Sequence, residues 1–301
     1  MVTVTRESRC VTQTLPESVL RVLPPSICYE INSMRCRGVP VDEVRLRVGR
    51  ASGVTSGETN IALESVITRS QMDDIVDRIC EGSLYAHADT INAGYVTLDG
   101  GVRVGIVGRA SVSDGKMVGV YDASSLCFRI PRRIIGVGEP IRNLIRRSDK
   151  NRGVLVFSPP AQGKTTLLRE VSAALSSGVD AMRVVVIDSR GELGVFLDSE
   201  KMMVDVLVGY PRALGIEIAA RSMNAQLVVC DEIGGVEEAE AIIAAQNCGV
   251  PLLATAHAHS LEGLLRRTPM RMLHEAGVFG AYVGIRRRAG MRDYAYTVTE
   301  V

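Results

Sequence analysis

The stretch Val154-Leu155-Val156-Phe157-Ser158-Pro159-Pro160-Ala161-Gln162-Gly163-Lys164-Thr165-Thr166-Leu167-Leu168 constrains the fold more than any other part of the chain. An apolar, mostly β-favouring run passes through a Pro/Gly loop into a helix-compatible segment from Thr165 to Leu175. Strand, loop, then helix is the context that gives a Gly-Lys-Thr match a mechanism. Backbone N–H groups at the helix start face phosphate oxygens, and the helix dipole adds positive potential there. Lys164 would neutralise the β- and γ-phosphates, and the Thr165 hydroxyl would ligate Mg²⁺. Residues Ser158 through Thr166 are therefore the expected nucleotide-binding loop. A glycine is usual where this chain has Ser158, so strain or a different loop path is expected at that residue.

Beyond Gly153 apolar runs alternate with amphipathic segments. Strands are expected at 154–157, 184–187, 227–230 and 251–255, with helices at 164–176, 211–224, 236–247 and 260–267. Continuous apolar runs separated by helices mean a parallel sheet buried on both faces. Edge strands are expected at 282–286 and 294–299. This half, 153–301, reads as an α/β P-loop NTPase domain of the RecA/AAA+ kind.

Polar residues ending the strands of such a sheet are its ligand positions. Val228-Val229-Cys230-Asp231-Glu232 is an apolar strand ending in two acids. Asp231 would hold Mg²⁺ through water, and Glu232 would polarise the attacking water. The alternative, acids favouring a helix start, loses weight beside a phosphate loop. Asp188 and Glu192 would support the nucleophilic water; otherwise Asp188 caps a turn while Arg190 pairs with an acid. His257, ending the fourth strand, would sense the γ-phosphate. His257 and His259 lack the Cys or acidic company of a metal set.

Residues 1–135 read as a smaller α+β domain, with 136–152 as a linker. A helix is expected from Glu17 to Leu23, stopped by Pro24-Pro25, with a short continuation from Tyr29 to Cys36. Val44–Val48 alternates like a strand. Residues 67–82 have helical spacing with Thr68 or Ser70 as the N-cap. Residues 91–109 are β-rich, with a hairpin turn at Leu98–Val102. A strand is expected at 126–130 and a helix at 140–147, followed by a polar link from Ser148 to Gly153. Most of the domain's arginines fit solvated strand faces; Arg103 and Arg129 are the candidates to reach a γ-phosphate across an interface.

The 301 residues suffice for two domains, and 46% hydrophobic with 23% charged residues excludes wholesale disorder. Lys plus Arg total 35 against 34 acids, a net charge of +1, and aromatics are 4%. No nucleic acid is therefore expected as a partner, although the arginine-rich strands permit a nucleic-acid-dependent ATPase. Seven scattered cysteines without a C-x-x-C pair point to reduced thiols in a cytosolic protein. Cys230 and Cys248 read as small core residues. No run approaches the roughly 20 apolar residues of a membrane span; any membrane role would come through a partner.

The blocks Glu43–Arg50, Gly94–Gly108, Pro159–Thr166, Ile187–Glu192, Asp231–Gly234 and Ala254–His257, in this order, resemble the stage III sporulation protein AA family, a relative of the type II and type IV secretion ATPases. The resemblance runs from about residue 40 onwards. It implies a cytoplasmic, hexameric, Mg²⁺-dependent ATPase of endospore formers. Such an enzyme would sit on the mother-cell side of a channel to the forespore, docked on a membrane protein of that complex. It would energise the channel's assembly or transport. Carried onto this chain, Lys164 and Thr165 fall on the phosphate and Mg²⁺ positions, Asp231 and Glu232 on Walker B, and His257 on the histidine box. Ser158 and Ala161 replace glycines usual in the family and bear on nucleotide affinity. Ser189, where an acid is usual, bears on hydrolysis and leaves a nucleotide-binding scaffold as the alternative.

Overall fold

Two patterns of strand burial divide the protein. The computed structural model describes residues 2–7, 9–10, 15–80, 94–113, 116–147, 152–197, 200–287 and 293–301. Its two compact units are Val11–Arg133 and Met1–Cys10 with Ile134–Val301. Strands β1 (Val2–Glu7) and β2 (Arg9–Cys10) thus group with the α/β unit, not with the N-terminal domain in which the sequence reading counted them. The boundary is set by pairing: β1 forms an antiparallel ladder with the last strand of the chain, a partner that local sequence cannot reveal.

In the Val11–Arg133 unit, helices Glu17–Val22 and Pro25–Cys36 precede β3 (Glu43–Arg47), β4 (Ala51–Ser56) and β5 (Thr59–Val66). Helix Arg69–Ile79, β6 (Tyr95–Leu98), β7 (Val102–Ser113) and β8 (Lys116–Arg129) follow. The six strands form one antiparallel sheet in the order β5-β4-β3-β8-β7-β6. Strand β3 buries alternate residues, Val44 and Leu46, against Ile27, Ile31, Met72 and Ile75 of the helices. One face is core and the other is wet, as period-two patterning requires. Thr68 caps its helix in a reciprocal capping box with Gln71, and Leu98 and Val102 close the β6–β7 hairpin as expected. The second helix starts at Pro25, since proline suits a first turn as well as it stops a preceding one. The expected strand residues 91–93, and 148–151 of the expected link, lie outside the described residues.

In the other unit β9 (Ile134–Ile135) pairs with β2, and helix Glu139–Arg147 leads to β10 (Gly153–Ser158). Helix Lys164–Leu175, β11 (Val184–Asp188), β12 (Val204–Val208), helix Arg212–Ser222 and β13 (Leu227–Cys230) come next. Helix Val236–Asn247, β14 (Leu252–His257), short helices Leu261–Leu265 and Thr268–Glu275, β15 (Phe279–Arg287) and β16 (Asp293–Glu300) complete it. The eight-stranded sheet has the order β1-β16-β15-β10-β14-β13-β11-β12, parallel from β15 to β12. Strands β10, β11 and β13 are buried at every residue. Leu155, Val185 and Val228 join one core, while Val156, Val186 and Val229 join another.

Three expectations need correction here. Neither β15 nor β16 is an edge strand, because β1 pairs beyond β16 and forms that edge of the sheet. The helix expected at 260–267 covers only Leu261–Leu265, and a second helix that was not expected, Thr268–Glu275, follows it with Pro269 in its first turn. Cys248 is exposed, whereas Cys230 is a core residue whose thiol burial pushes up to about 12.

Candidate functional site

The strand order decides the site. Strand β14 lies between β10 and β13, so the residues ending it sit between the phosphate loop and the acidic pair. Lys164 begins the helix after the loop and is 5% exposed. Its ammonium donates to the carbonyls of Ser158 (3.2 Å) and Pro159 (3.2 Å) and to the Ser158 hydroxyl (3.3 Å). It also lies 3.0 Å from His257 Nδ1. An ammonium can only donate, so Nδ1 accepts and the imidazole proton sits on Nε2. Nε2 then donates to Glu232 Oε1 at 2.9 Å. Arg190 Nη1 stands 2.7 Å from the other oxygen, Glu232 Oε2.

Asp231 is held by hydroxyls. Thr165 Oγ1 donates to its Oδ2 at 2.7 Å, and Thr255 Oγ1, fully buried in β14, donates to its Oδ1. Thr255 Oγ1 also accepts the Glu232 backbone N–H at 2.9 Å, and its carbonyl accepts from Ile233 at 2.8 Å. These bonds hold Glu232 at φ 55°, a left-handed conformation that costs a non-glycine residue about 1–3 kcal/mol. Strain of that kind is tolerated where neighbours over-determine the backbone.

Charge and burial oppose each other at both ends of this chain of contacts. Burial lowers the pKa of Lys164, with the charges of Asp231 and Glu232 offsetting only part of the effect. Burial would raise Glu232, but the bond from His257 and the neighbouring cations outweigh it. With His257 neutral, the imidazole's share is the hydrogen bond alone, and the full charges acting on Glu232 are those of Arg190 and Lys164; the Glu232 carboxyl is held below the ordinary value.

The loop itself departs from expectation at one point. Ser158 is buried and makes ordinary use of its hydroxyl, which donates to the Pro159 carbonyl at 2.9 Å. The left-handed residues are Ala161 (φ 61°) and Gly163 (φ 89°); of the two outcomes expected at Ser158, strain is not seen there, and it falls on Ala161, the other residue that replaces a glycine usual in the family. Gly163 is required twice over: besides its φ, a Cβ there would lie 2.2 Å from the Tyr294 hydroxyl. Gln162 Oε1 accepts the Arg287 N–H at 2.9 Å, so the ends of β15 and β16 brace the loop. Pro159, Gln162, Thr165 and Thr166 are half-buried, while Pro160 and Ala161 are exposed.

Asp188 caps the turn that follows β11, as in the second of its two expected readings. It is 2% exposed, and its two carboxylate oxygens accept the N–H groups of Glu192 and Gly194, each at 2.8 Å. The turn between them carries Arg190. Glu192 shares a pocket with Arg190, Arg212, Asp231 and Glu232, and its carbonyl accepts from Arg169 Nε at 2.6 Å. Arg103 and Arg129 lie in the other unit, exposed and opposite each other in the β7–β8 ladder, and Arg103 stacks 5.5 Å over the Tyr95 ring. Thr255, Arg212 and Tyr294 were missed by sequence reasoning. Their only signal was a threonine in a buried apolar strand; the other two depend on strand order.

A phosphate loop after one parallel strand, two acids after another and, between them, an apolar strand carrying Thr255 and ending in His257 define a P-loop NTPase fold, joined here to a smaller α+β unit. The chain belongs to the sporulation stage III protein AA family, whose model matches residues 14–292. It is 30% identical over 282 residues to stage III sporulation protein AA of Bacillus subtilis (strain 168), covering 90% of this chain and 91% of that one. Among solved structures it resembles the Legionella pneumophila ATPase DotB with a TM-score of 0.57 at 16% identity, over 96% of this chain and 82% of that one. It also resembles the pilus retraction motor PilT, solved with bound ADP, with a TM-score of 0.61 at 14% identity, over 92% and 83%. At these identities the likeness is one of fold. No helix among the described residues is long and apolar enough to cross a membrane.

Proposed function

We propose that the chain is a Mg²⁺-dependent ATP hydrolase of the secretion-motor type, working in endospore formation. The observation carrying this reading is the single contact chain Lys164–His257–Glu232–Arg190 beside the Thr165–Asp231 pair. The residues fit a nucleoside triphosphate and its cation. A buried ammonium held by backbone carbonyls has donors to turn to phosphate oxygens, and Gly163 leaves no Cβ in the cradle. Thr165 and Asp231 offer a hydroxyl and a carboxylate to a hard cation. Mg²⁺, when bound, supplies charge neutralisation on the phosphoryl oxygens.

In this reading Lys164 and the loop N–H groups from Ser158 to Thr166 bind and orient the polyphosphate. Glu232 orients the attacking water and takes its proton, and His257 holds Glu232 in line. Glu192 remains a supporting residue of the pocket. Arg103 and Arg129 are offered to the site of a neighbouring copy in a homo-hexamer. Family membership supports a cytoplasmic, mother-cell role at the channel to the forespore, docked on a membrane protein of that complex. DotB and PilT, an ATPase and a motor, support the mechanical reading. The second reading, a nucleotide-binding scaffold, draws on Glu232 having both oxygens engaged.

The test is the steady-state ATPase rate against protein concentration for wild type, Lys164→Ala and Glu232→Gln. The expected result is a specific rate rising with concentration, lost by at least about 100-fold in both variants. Full activity in a dilute monomer would overturn the ring. ATP binding without turnover, even at high concentration, would favour the scaffold.

A further inference from the structure

Glu232 carries a partner on each oxygen, and the two partners differ in freedom. His257 is set by the β14 strand end and by Lys164. Arg190 projects from a turn whose backbone is fixed, by Asp188 accepting from Glu192 and Gly194 and by Gly191 at φ 67°. Its side chain, in contrast, is 59% exposed, while that of Glu232 is 25% exposed. An anchored backbone with a solvent-washed guanidinium is built to let the head group turn. Both cations of the chain rest on internal acceptors: Lys164 on loop carbonyls and His257, Arg190 on Glu232. A polyphosphate arriving at the loop competes for both.

We infer that Arg190 is an exchangeable clamp, resting on Glu232 Oε2 until the terminal phosphate of a bound nucleoside triphosphate draws its guanidinium away. Arg190 is then a second cation for that phosphate supplied by the same chain, and its departure frees the Glu232 oxygen that must meet water. The inference rests on the nucleotide-site reading above. It selects the terminal phosphate because Glu232 is, in that reading, the residue beside the phosphate being transferred. A diphosphate would bind through Lys164 and leave the clamp closed. The clamp also explains why Asp188 is spent on two backbone N–H groups: it is a positioning residue acting through Arg190.

The experiment measures dissociation constants of ADP and a non-hydrolysable ATP analogue on the full chain. The proteins are wild type, Lys164→Ala, Arg190→Ala, Arg190→Lys, Glu232→Gln and the Arg190→Ala/Glu232→Gln double variant. Arg190→Ala should weaken the analogue about ten-fold, the size of one charge-assisted contact, and ADP less than about three-fold. Arg190→Lys should fall between, keeping the charge without the fork. Glu232→Gln removes the resting partner, so it should tighten the analogue more when Arg190 is present than in the double variant. The expected difference is about two- to five-fold, the range of an exposed ion pair. A structural role for Arg190 would not produce that coupling. Wild-type affinity in Arg190→Ala, or an equal gain in both backgrounds, would overturn the clamp alone. Nucleotide bound equally by wild type and Lys164→Ala, or by neither, would overturn the site reading and the clamp with it.

Discussion

Neighbouring residues in one strand mean different things in the two sheets. In β8, Phe128 is fully buried and Arg129 is exposed; in β10, Leu155 and Val156 are both buried, on opposite faces and in separate cores. A sheet covered on both sides has no face left for polar chemistry, which gathers at and near the strand ends: Ser158, Asp188, Asp231, Thr255 and His257. A sheet covered on one side keeps a whole face for charge, and Glu43, Arg129 and Arg103 line up there across β3, β8 and β7. The first arrangement concentrates reactive groups at one rim. The second spreads charged groups over one whole face.

The comparison breaks most sharply under truncation of neighbours. Phe128→Ala should cost about 3–5 kcal/mol and Arg129→Ala within about 0.5 kcal/mol, a pair of opposites. Leu155→Ala should cost about 2–5 kcal/mol and Val156→Ala about 2 kcal/mol, a pair of equals in kind. Urea unfolding followed by circular dichroism reads all four. A cheap Val156→Ala would mean that the second core contributes little, and the two-sided description of β10 would fail.

The same contrast explains what could be read in advance. Two-sided burial writes itself as an apolar run, so β10, β11, β13 and β14 were each found within two residues of their ends. Strand β12, Val204-Asp205-Val206-Leu207-Val208, was missed because an edge strand with an aspartate breaks that signature. Strands β4 and β5 were missed too, their short polar residues hiding a one-sided pattern. At the site, Lys164, Thr165, Asp231, Glu232 and His257 were legible from local motifs and come together in space. Their order across the sheet was not, because crossover topology is a long-range property. Hence the role of Thr255 emerges only when β14 is seen between β10 and β13, and the acid that Arg190 pairs with is identified as Glu232 only when β11 is seen beside β13.

A carboxylate in each unit sharpens the comparison through pH. Burial would raise Glu238, but the N–H groups of Gly235 and Gly234 and the Arg212 guanidinium hold its carboxyl below the ordinary 4.5. Burial would likewise raise Glu30 in the other unit, but the hydrogen bonds from Ser65 and Glu64 outweigh it and lower its carboxyl. Both pKa values are depressed on folding, so each contributes stability that is present above about pH 4.5 and lost as pH falls through the folded value. Glu238→Gln should therefore cost roughly 1–2 kcal/mol at pH 7 and flatten the acid limb of stability. Glu30→Gln, with no guanidinium partner among these causes, should do less. Equal slopes in wild type and Glu238→Gln between pH 5 and pH 2 would contradict the assignment.

The smallest effect tests the phosphate loop, where motif and geometry point to different residues. By motif, Ser158 is the misfit and a glycine there should relieve strain. By geometry, Ser158 is buried and its hydroxyl donates to the Pro159 carbonyl and accepts from Lys164, whereas Ala161 sits at φ 61°. A left-handed alanine costs about 1–2 kcal/mol, and glycine returns about 0.5–1 kcal/mol of that as unfolded-chain entropy. Ala161→Gly should thus stabilise the protein by about 0.5 kcal/mol. Ser158→Gly gains no such relief, loses the hydroxyl's bonds and should destabilise by about 1 kcal/mol. Opposite signs at the two positions, read as shifts in thermal midpoint, would establish that the loop tolerates its missing glycine by moving the strained residue three positions along. A stabilising Ser158→Gly would return the strain to the residue the motif names.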